Sequence, residues 1–343
     1  MTQDTQDLHW HDATAWDVEG KGWDDTTRRF ERLPPGAEGV VREPVWDLSR
    51  CSAGLSLRFV TDSTQIHARY DLLHSTISMA HMPATSHSGL DLYAEDASGI
   101  LRWVGISRPE GQRVEATLAE GLAPGSRCYT LYLPLFNSPE TLEIGVEAGA
   151  VLQPLAAREE KPVLFYGTSI MHGASAARAG MCISSIVGRR LRRRVINFGF
   201  AGNGIMEPEV ADLLAQQNPC LFVIDCLPNM THAQITERTV PLVRRIRQSQ
   251  PLTPILLVED RTYANTRFFP AKADRHRTSR AALRAAWHTL TAAGDDRIHY
   301  LDGDLLLPDD GEATVDSSHP TDLGMVAYAD AYETAIRAIL RQV

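Results

Sequence analysis

Five short apolar runs, at 163–166, 195–198, 221–226, 255–258 and 298–301, recur through the second half of the chain, and each precedes a stretch of helical periodicity. The helical stretches fall at 180–191, 208–216, 233–247, 274–292 and 323–340. Strands without polar alternation need cover on both faces, and a helix between consecutive strands supplies it. The arrangement that satisfies both is a parallel sheet with helices on either side, a three-layer α/β domain. With five strands the expected order is the doubly wound, flavodoxin-like one, in which the loops after the carboxyl ends of the strands face the ligand.

The first half has a different texture. Segments at 54–60, 65–70, 90–93, 101–104, 129–133 and 141–146 are rich in β-branched and aromatic residues and alternate with period two. Turn-forming pieces such as Asp96-Ala97-Ser98-Gly99 separate them, and convincing amphipathic helices are not evident. This pattern predicts an all-β sandwich or jelly roll over 1–157. The charged stretch 155–162, closed by Pro162, reads as a linker, and the α/β domain is expected over 158–343. Trp10, Trp16 and Trp23 stand among acids and glycines near the start; packing is the favoured reading over a stacking platform for sugar rings.

Charge narrows the partners. The formal net charge is -9, which disfavours nucleic acid or an anionic membrane surface. The one basic run, Arg189 to Arg194, fits a solvated last helical turn. The five cysteines are odd in number and widely spaced, with no CxxC, so neither a disulfide framework nor a zinc site is expected. The polar, acidic N-terminus has no basic or apolar signal region, and no apolar run reaches membrane-spanning length, so a cytoplasmic protein is expected.

The chemistry is concentrated in four loops that follow predicted strands. Val163-Leu164-Phe165-Tyr166-Gly167-Thr168-Ser169 ends in a serine on a strand-to-helix turn. Asn197-Phe198-Gly199-Phe200-Ala201-Gly202-Asn203-Gly204 offers backbone N–H groups that a ligand can approach closely. Asp225-Cys226-Leu227-Pro228-Asn229 offers a side-chain amide, and Asp316-Ser317-Ser318-His319 places a carboxylate three residues before an imidazole. A serine hydroxyl needs a base to become a nucleophile, the base needs a group to fix its tautomer, and a tetrahedral intermediate needs donors for its oxyanion. Ser169, His319 and Asp316 are the candidates for the first three roles. The Ser169 and Gly202 N–H groups and the Asn229 amide are the candidate oxyanion donors. Taken singly, Asp316-Ser317-Ser318-His319 reads more readily as the N-cap region of the last helix than as catalytic equipment; what favours catalysis is the joint occurrence, in order, of all four loops.

In these blocks the chain resembles the SGNH, or GDSL-like, hydrolase superfamily of serine esterases and lipases. The first block reads Gly167-Thr168-Ser169-Ile170 instead of Gly-Asp-Ser, and the third reads Leu227-Pro228-Asn229-Met230 where the superfamily has Gly-x-Asn-Asp. Gly89-Leu90-Asp91-Leu92-Tyr93 further resembles the GxDLY signature of a subgroup that carries a β-sandwich before the hydrolase domain. The resemblance spans nearly the whole chain and includes two-domain carbohydrate esterases. It implies a metal-independent and cofactor-free ester hydrolase, with an acetylated saccharide or small polyol as the expected substrate. The alternatives are a lipid or thioester hydrolase and a carbohydrate-binding protein with a degenerate hydrolase domain. His172 and Arg178, which follow the serine, and His81 and Asp91 from the sandwich are candidate substrate contacts; Arg178 reads equally as the partner of a surface carboxylate, and a structural β-turn is the favoured reading for His81 and Asp91. The long loop after Glu259-Asp260-Arg261-Thr262-Tyr263 is a candidate cover. The oligomeric state stays open, a homo-oligomer included.

Overall fold

The computed structural model describes residues 7–342. The chain forms two compact units. The first comprises residues up to 32 together with 50–159 and 177–180, and the second comprises 33–49, 160–176 and 181 onward. Each half of the chain therefore lends a short segment to the other's unit, which a single linker at 155–162 does not anticipate.

The first unit is built from antiparallel strands: β1 (Leu8–Asp12), β2 (Val18–Glu19), β3 (Ser56–Thr61), β4 (Ile66–Leu72), β5 (Asp91–Glu95), β6 (Leu101–Ile106), β7 (Arg113–Ala119), β8 (Arg127–Tyr132), β9 (Pro139–Glu147) and β10 (Leu152–Pro154). One sheet has the order β1-β9-β4-β7, and the other β10-β3-β8-β5-β6 with β2 beside β3. The period-two pattern decides what lies between them. In β4, Ile66, Ala68, Tyr70 and Leu72 are buried while the intervening residues are half-exposed. Together with Leu55, Leu57, Phe59, Leu92, Tyr129, Leu131, Leu142 and Ile144 they form one apolar core. Trp16 belongs to that core, its ring 5.6 Å from that of Phe59. Trp10 is half-buried under the Arg69 guanidinium, which lies 4.3 Å from the ring centroid, so packing accounts for both tryptophans.

The helix α1 (Glu43–Ser49) lies in the segment that joins the second unit, and the one-turn α2 (Ala84–His87) lies in the first. The second unit then alternates as expected: β11 (Val163–Gly167), α3 (Ser169–His172), α4 (Ile183–Leu191), β12 (Val195–Gly199), α5 (Pro208–Ala215), β13 (Leu221–Asp225), α6 (His232–Ser249), β14 (Ile255–Val258), α7 (Pro270–Ala292), β15 (Ile298–Leu301) and α8 (Asp322–Leu340). All strand pairings are parallel, in the order β12-β11-β13-β14-β15, which is the flavodoxin-like order. Strands β11, β12 and β13 are buried at every position. Registers pair Gly167 with Gly199 on one side and with Asp225 on the other, so three strands end at one level. The basic run ends α4, where Arg192 takes a left-handed cap conformation at φ 51° and Arg190 pairs with Asp330 and Glu333 of α8. Cys220 and Cys226 flank β13 rather than lie within it, and Cys226 is buried. Among the described residues no helix is long and apolar enough to cross a membrane.

Because Leu131 is fully buried between the two sheets of the first unit, Leu131→Ala is expected to lower the stability of that unit by about 2–5 kcal/mol. Urea denaturation followed by tryptophan fluorescence measures it, and a shift within error of zero contradicts the packing described.

Candidate active site

The serine turn is shaped by steric necessity. At Gly167 a Cβ would lie 2.7 Å from the Asp225 carbonyl oxygen, and at Gly204 it would lie 2.0 Å from the Gly167 carbonyl oxygen, so the first two loops interlock only without side chains. Thr168 caps α3 by accepting a hydrogen bond from the Ile170 N–H at 3.3 Å. Ser169 is the first residue of that helix, so its N–H has no intrahelical acceptor. Buried Asn197 secures the turn from beside it, donating through Nδ2 to the Met171 carbonyl (2.8 Å) and Ser184 Oγ (2.9 Å) while Oδ1 accepts from the Gly199 N–H (2.8 Å). The sequence reading passed over Asn197.

Ser169 Oγ lies 2.9 Å from His319 Nε2, and His319 Nδ1 lies 2.7 Å from Asp316 Oδ2. The other carboxylate oxygen, Oδ1, accepts the Ser318 N–H (3.0 Å) and the His319 N–H (2.8 Å). Burial works to raise the Asp316 pKa, but these N–H donors and His319 outweigh it and lower it to about 2. Asp316 is therefore an acceptor, and in a neutral imidazole a proton on Nδ1 satisfies it and leaves the Nε2 lone pair to the serine hydroxyl. A bridge between Thr314 and Pro320 closes the base of this loop, and Ser317 adopts φ 73° within it.

Asn229 sits in a short turn after β13. With its amide oriented to satisfy its neighbours, its oxygen accepts from the Asn203 N–H (3.1 Å) and the Gly204 N–H (3.2 Å), which leaves the NH2 group to donate elsewhere. Gly202 is exposed at φ 71° with open space around it. Arg42, from the segment that joins this unit early in the chain, supports the same loop: it donates to Asn203 Oδ1 at 2.8 Å and pairs with Glu207. That residue too was missed, because nothing in the local sequence links position 42 to position 203.

Of the four candidate substrate contacts, two are fully buried and two are half-buried. His172 is fully buried at the end of the short helix that Ser169 opens. Asp91 is also fully buried. It accepts from Arg178 Nη1 (2.9 Å), the Gly180 N–H (2.8 Å) and Trp103 Nε1 (3.0 Å), so this signature acid pins residues 177–180 within the first unit. Arg178 is thereby paired with Asp91 and stacked 5.4 Å from the Trp103 ring centroid. His81 is half-buried in the loop bridged by Met79 and Met82. Glu259, Asp260 and Arg261, which lead into the candidate covering loop, are buried. Among the described residues no group of three or more His, Cys, Asp or Glu side chains is arranged to hold a metal ion.

Beneath the Asn229 loop, burial pushes the Asp225 carboxyl up to about 7. Oδ2 accepts the Tyr332 hydroxyl at 2.7 Å, while Oδ1 is buried without a hydrogen-bond partner. Between pH 4 and 7 the unfolded chain loses this proton and the folded protein keeps it, so Asp225 costs stability increasingly as pH rises through that window. Asp225→Asn is expected to be stabilised relative to the parent by an amount that grows from pH 4 to pH 7 and then levels off. Melting temperatures across that range test this, and a pH-independent difference contradicts it.

Comparison with known proteins places this chain among relatives. A family model described as the GDSL-like Lipase/Acylhydrolase family matches residues 160–337, and one described as the N-terminus of Esterase_SGNH_hydro-type matches residues 8–152. A solved structure from Bacteroides ovatus ATCC 8483, described as a GDSL-like lipase, is 30% identical with a TM-score of 0.93 and 98% of both chains covered. The salicylyl-acyltransferase SsfX3 from a tetracycline biosynthetic pathway is 20% identical with a TM-score of 0.76 and 97% of both chains covered. A family two carbohydrate esterase from Clostridium thermocellum, solved with cellohexaose, shares the fold at 13% identity and a TM-score of 0.57, over 84% of this chain and 93% of that one. Curated protein sequences gave no match.

Proposed function

Since this chain belongs to the GDSL-like lipase/acylhydrolase family, we propose that it is a serine ester hydrolase working through an acyl-enzyme at Ser169. The observation that carries the reading is the continuous hydrogen-bonded relay from Ser169 Oγ through His319 to Asp316. Ser169 Oγ attacks the acyl carbonyl carbon while His319 Nε2 takes its proton. Asp316 holds the imidazole in the needed tautomer and stabilises the imidazolium. The carbonyl oxygen becomes an oxyanion received by the Ser169 and Gly202 N–H groups and the Asn229 amide. Collapse of this intermediate expels the alcohol, which takes the proton from His319. A water then gives its proton to the same nitrogen and attacks the acyl-enzyme, releasing the acid and free serine.

For the substrate we favour a short acyl group, acetyl first, on a saccharide or small polyol. The similarity in fold to a carbohydrate esterase solved with cellohexaose supports this choice.

Ser169→Ala is expected to abolish p-nitrophenyl acetate hydrolysis while circular dichroism stays that of the parent; retained turnover ends the proposal. Asn229→Ala is expected to lower kcat by roughly 10²–10³-fold with a small change in KM. Profiling from acetyl to decanoyl esters should show a maximum at the short end. A maximum at decanoyl favours the lipid or thioester reading instead. Sugar binding without turnover of any ester favours a binding protein.

A further inference from the structure

One buried carboxylate outside the relay binds two arginines that reach the two halves of the proposed machinery. Asp260 follows β14 and has no exposed surface. Its Oδ1 accepts from Arg261 Nη1, and its Oδ2 accepts from Arg275 Nη1 at 2.7 Å with His276 Nδ1 3.2 Å away. The Asp260 main-chain oxygen takes two further bonds, from Arg280 Nε (3.0 Å) and Nη2 (2.8 Å). Burial acts to raise the Asp260 pKa, but Arg261, His276 and Arg275 overcome it and hold the group well below the ordinary carboxylate range, so it stays charged.

The two arginines reach in different directions. Arg261, itself fully buried, donates through Nε to the Ser318 carbonyl oxygen at 3.1 Å and through Nη2 to Ser318 Oγ. Ser318 lies between the Asp316 carboxylate and the His319 imidazole in the chain, and its N–H is one of the bonds on Asp316. Arg275, from α7, donates through Nη2 to the carbonyl oxygens of Leu227 (3.3 Å), Pro228 (2.9 Å) and Met230 (3.5 Å). Those carbonyls surround Asn229 in sequence. Fork-shaped guanidinium groups suit this use, because one arm can bind the carboxylate while another binds backbone.

We propose that Asp260 is a positioning residue that sets the acid–base loop and the oxyanion loop relative to each other, through Arg261 on one side and Arg275 on the other. This rests on the hydrolase reading above, with His319 as base and Asn229 as donor. Asp260 touches no reacting atom. A stiff charged link between the loops keeps the Asn229 amide and the His319 imidazole in one geometry, and a displacement on the order of 1 Å at such a site costs roughly 100-fold in rate.

Asp260→Asn leaves the buried Arg261 uncompensated and threatens folding itself, so the test uses Arg275, whose side chain is 31% exposed. The parent, Arg275→Met, Asn229→Ala and their double variant are assayed on p-nitrophenyl acetate, with Ser169→Ala as the control. Arg275→Met is expected to lose roughly 100-fold in kcat with KM nearly unchanged. The double variant is expected to be no slower than Asn229→Ala alone, because the arginine acts only through the loop that carries the amide. Arg275→Lys is expected to regain part of the loss by donating to a single carbonyl. Losses that multiply in the double variant, or an Arg275→Met enzyme with parental kcat, overturn the coupling. Ser169→Ala remaining inactive in that case leaves the hydrolase reading intact, whereas an active Ser169→Ala removes the premise.

Discussion

The hydrogen bond between Ser169 and His319 spans 150 positions of chain, and neither partner can find the other without the sheet between them. Ser169 is carried by β11, which has β12 on one side and β13 on the other. Parallel registers bring Gly167, Gly199 and Asp225 to the same level, so the loops with Ser169, Gly202 and Asn229 leave the sheet side by side. The His319 loop comes from the far end of the chain, closed by its own bridge and held at Ser318 by a buried arginine. Rigid elements supply the sub-ångström placement that nucleophilic chemistry requires.

That placement is maintained by polar groups in places where they are expensive. Asp225, Asp260 and Arg261 are all buried beneath the loops. Two of the three are ionised and compensate each other, and the third is biased toward its neutral form by burial. A buried charge is tolerated only when its partners are positioned well, so an ion pair here resists displacement of the loops it holds. The same principle governs Asp91 in the first unit, where three donors fix one carboxylate and, with it, residues 177–180.

Much was legible in the sequence because its signals were local. The period-two pattern marked β3, β4, β5, β6, β8 and β9, and the apolar runs marked all five parallel strands. Of the four strands missed, β1, β2, β7 and β10, two have clear local reasons. β1 is a five-residue edge strand of polar and aromatic residues, and β7 puts charged residues on alternate positions of another edge. Helix α1 is only seven residues long and belongs to a segment that leaves its own half of the chain. His172 was a candidate contact because it follows the serine, and Asp91 because it comes from the sandwich. The structure buries both, and burial is not written in residue type.

What the sequence by itself determined was the kind of sheet, the order of its strands and which residues follow each carboxyl edge, since these depend on periodicity and on the handedness of short connections. It also held the candidate serine, imidazole, carboxylate and amide of the proposed site. Only the tertiary structure decided that Asn197 and Arg42 brace the loops and that Asp260 grips two arginines. It alone decided, too, that Arg178 serves Asp91. Each of those is a pairing between positions remote in the chain, chosen by packing and charge compensation in three dimensions, and no local pattern encodes it.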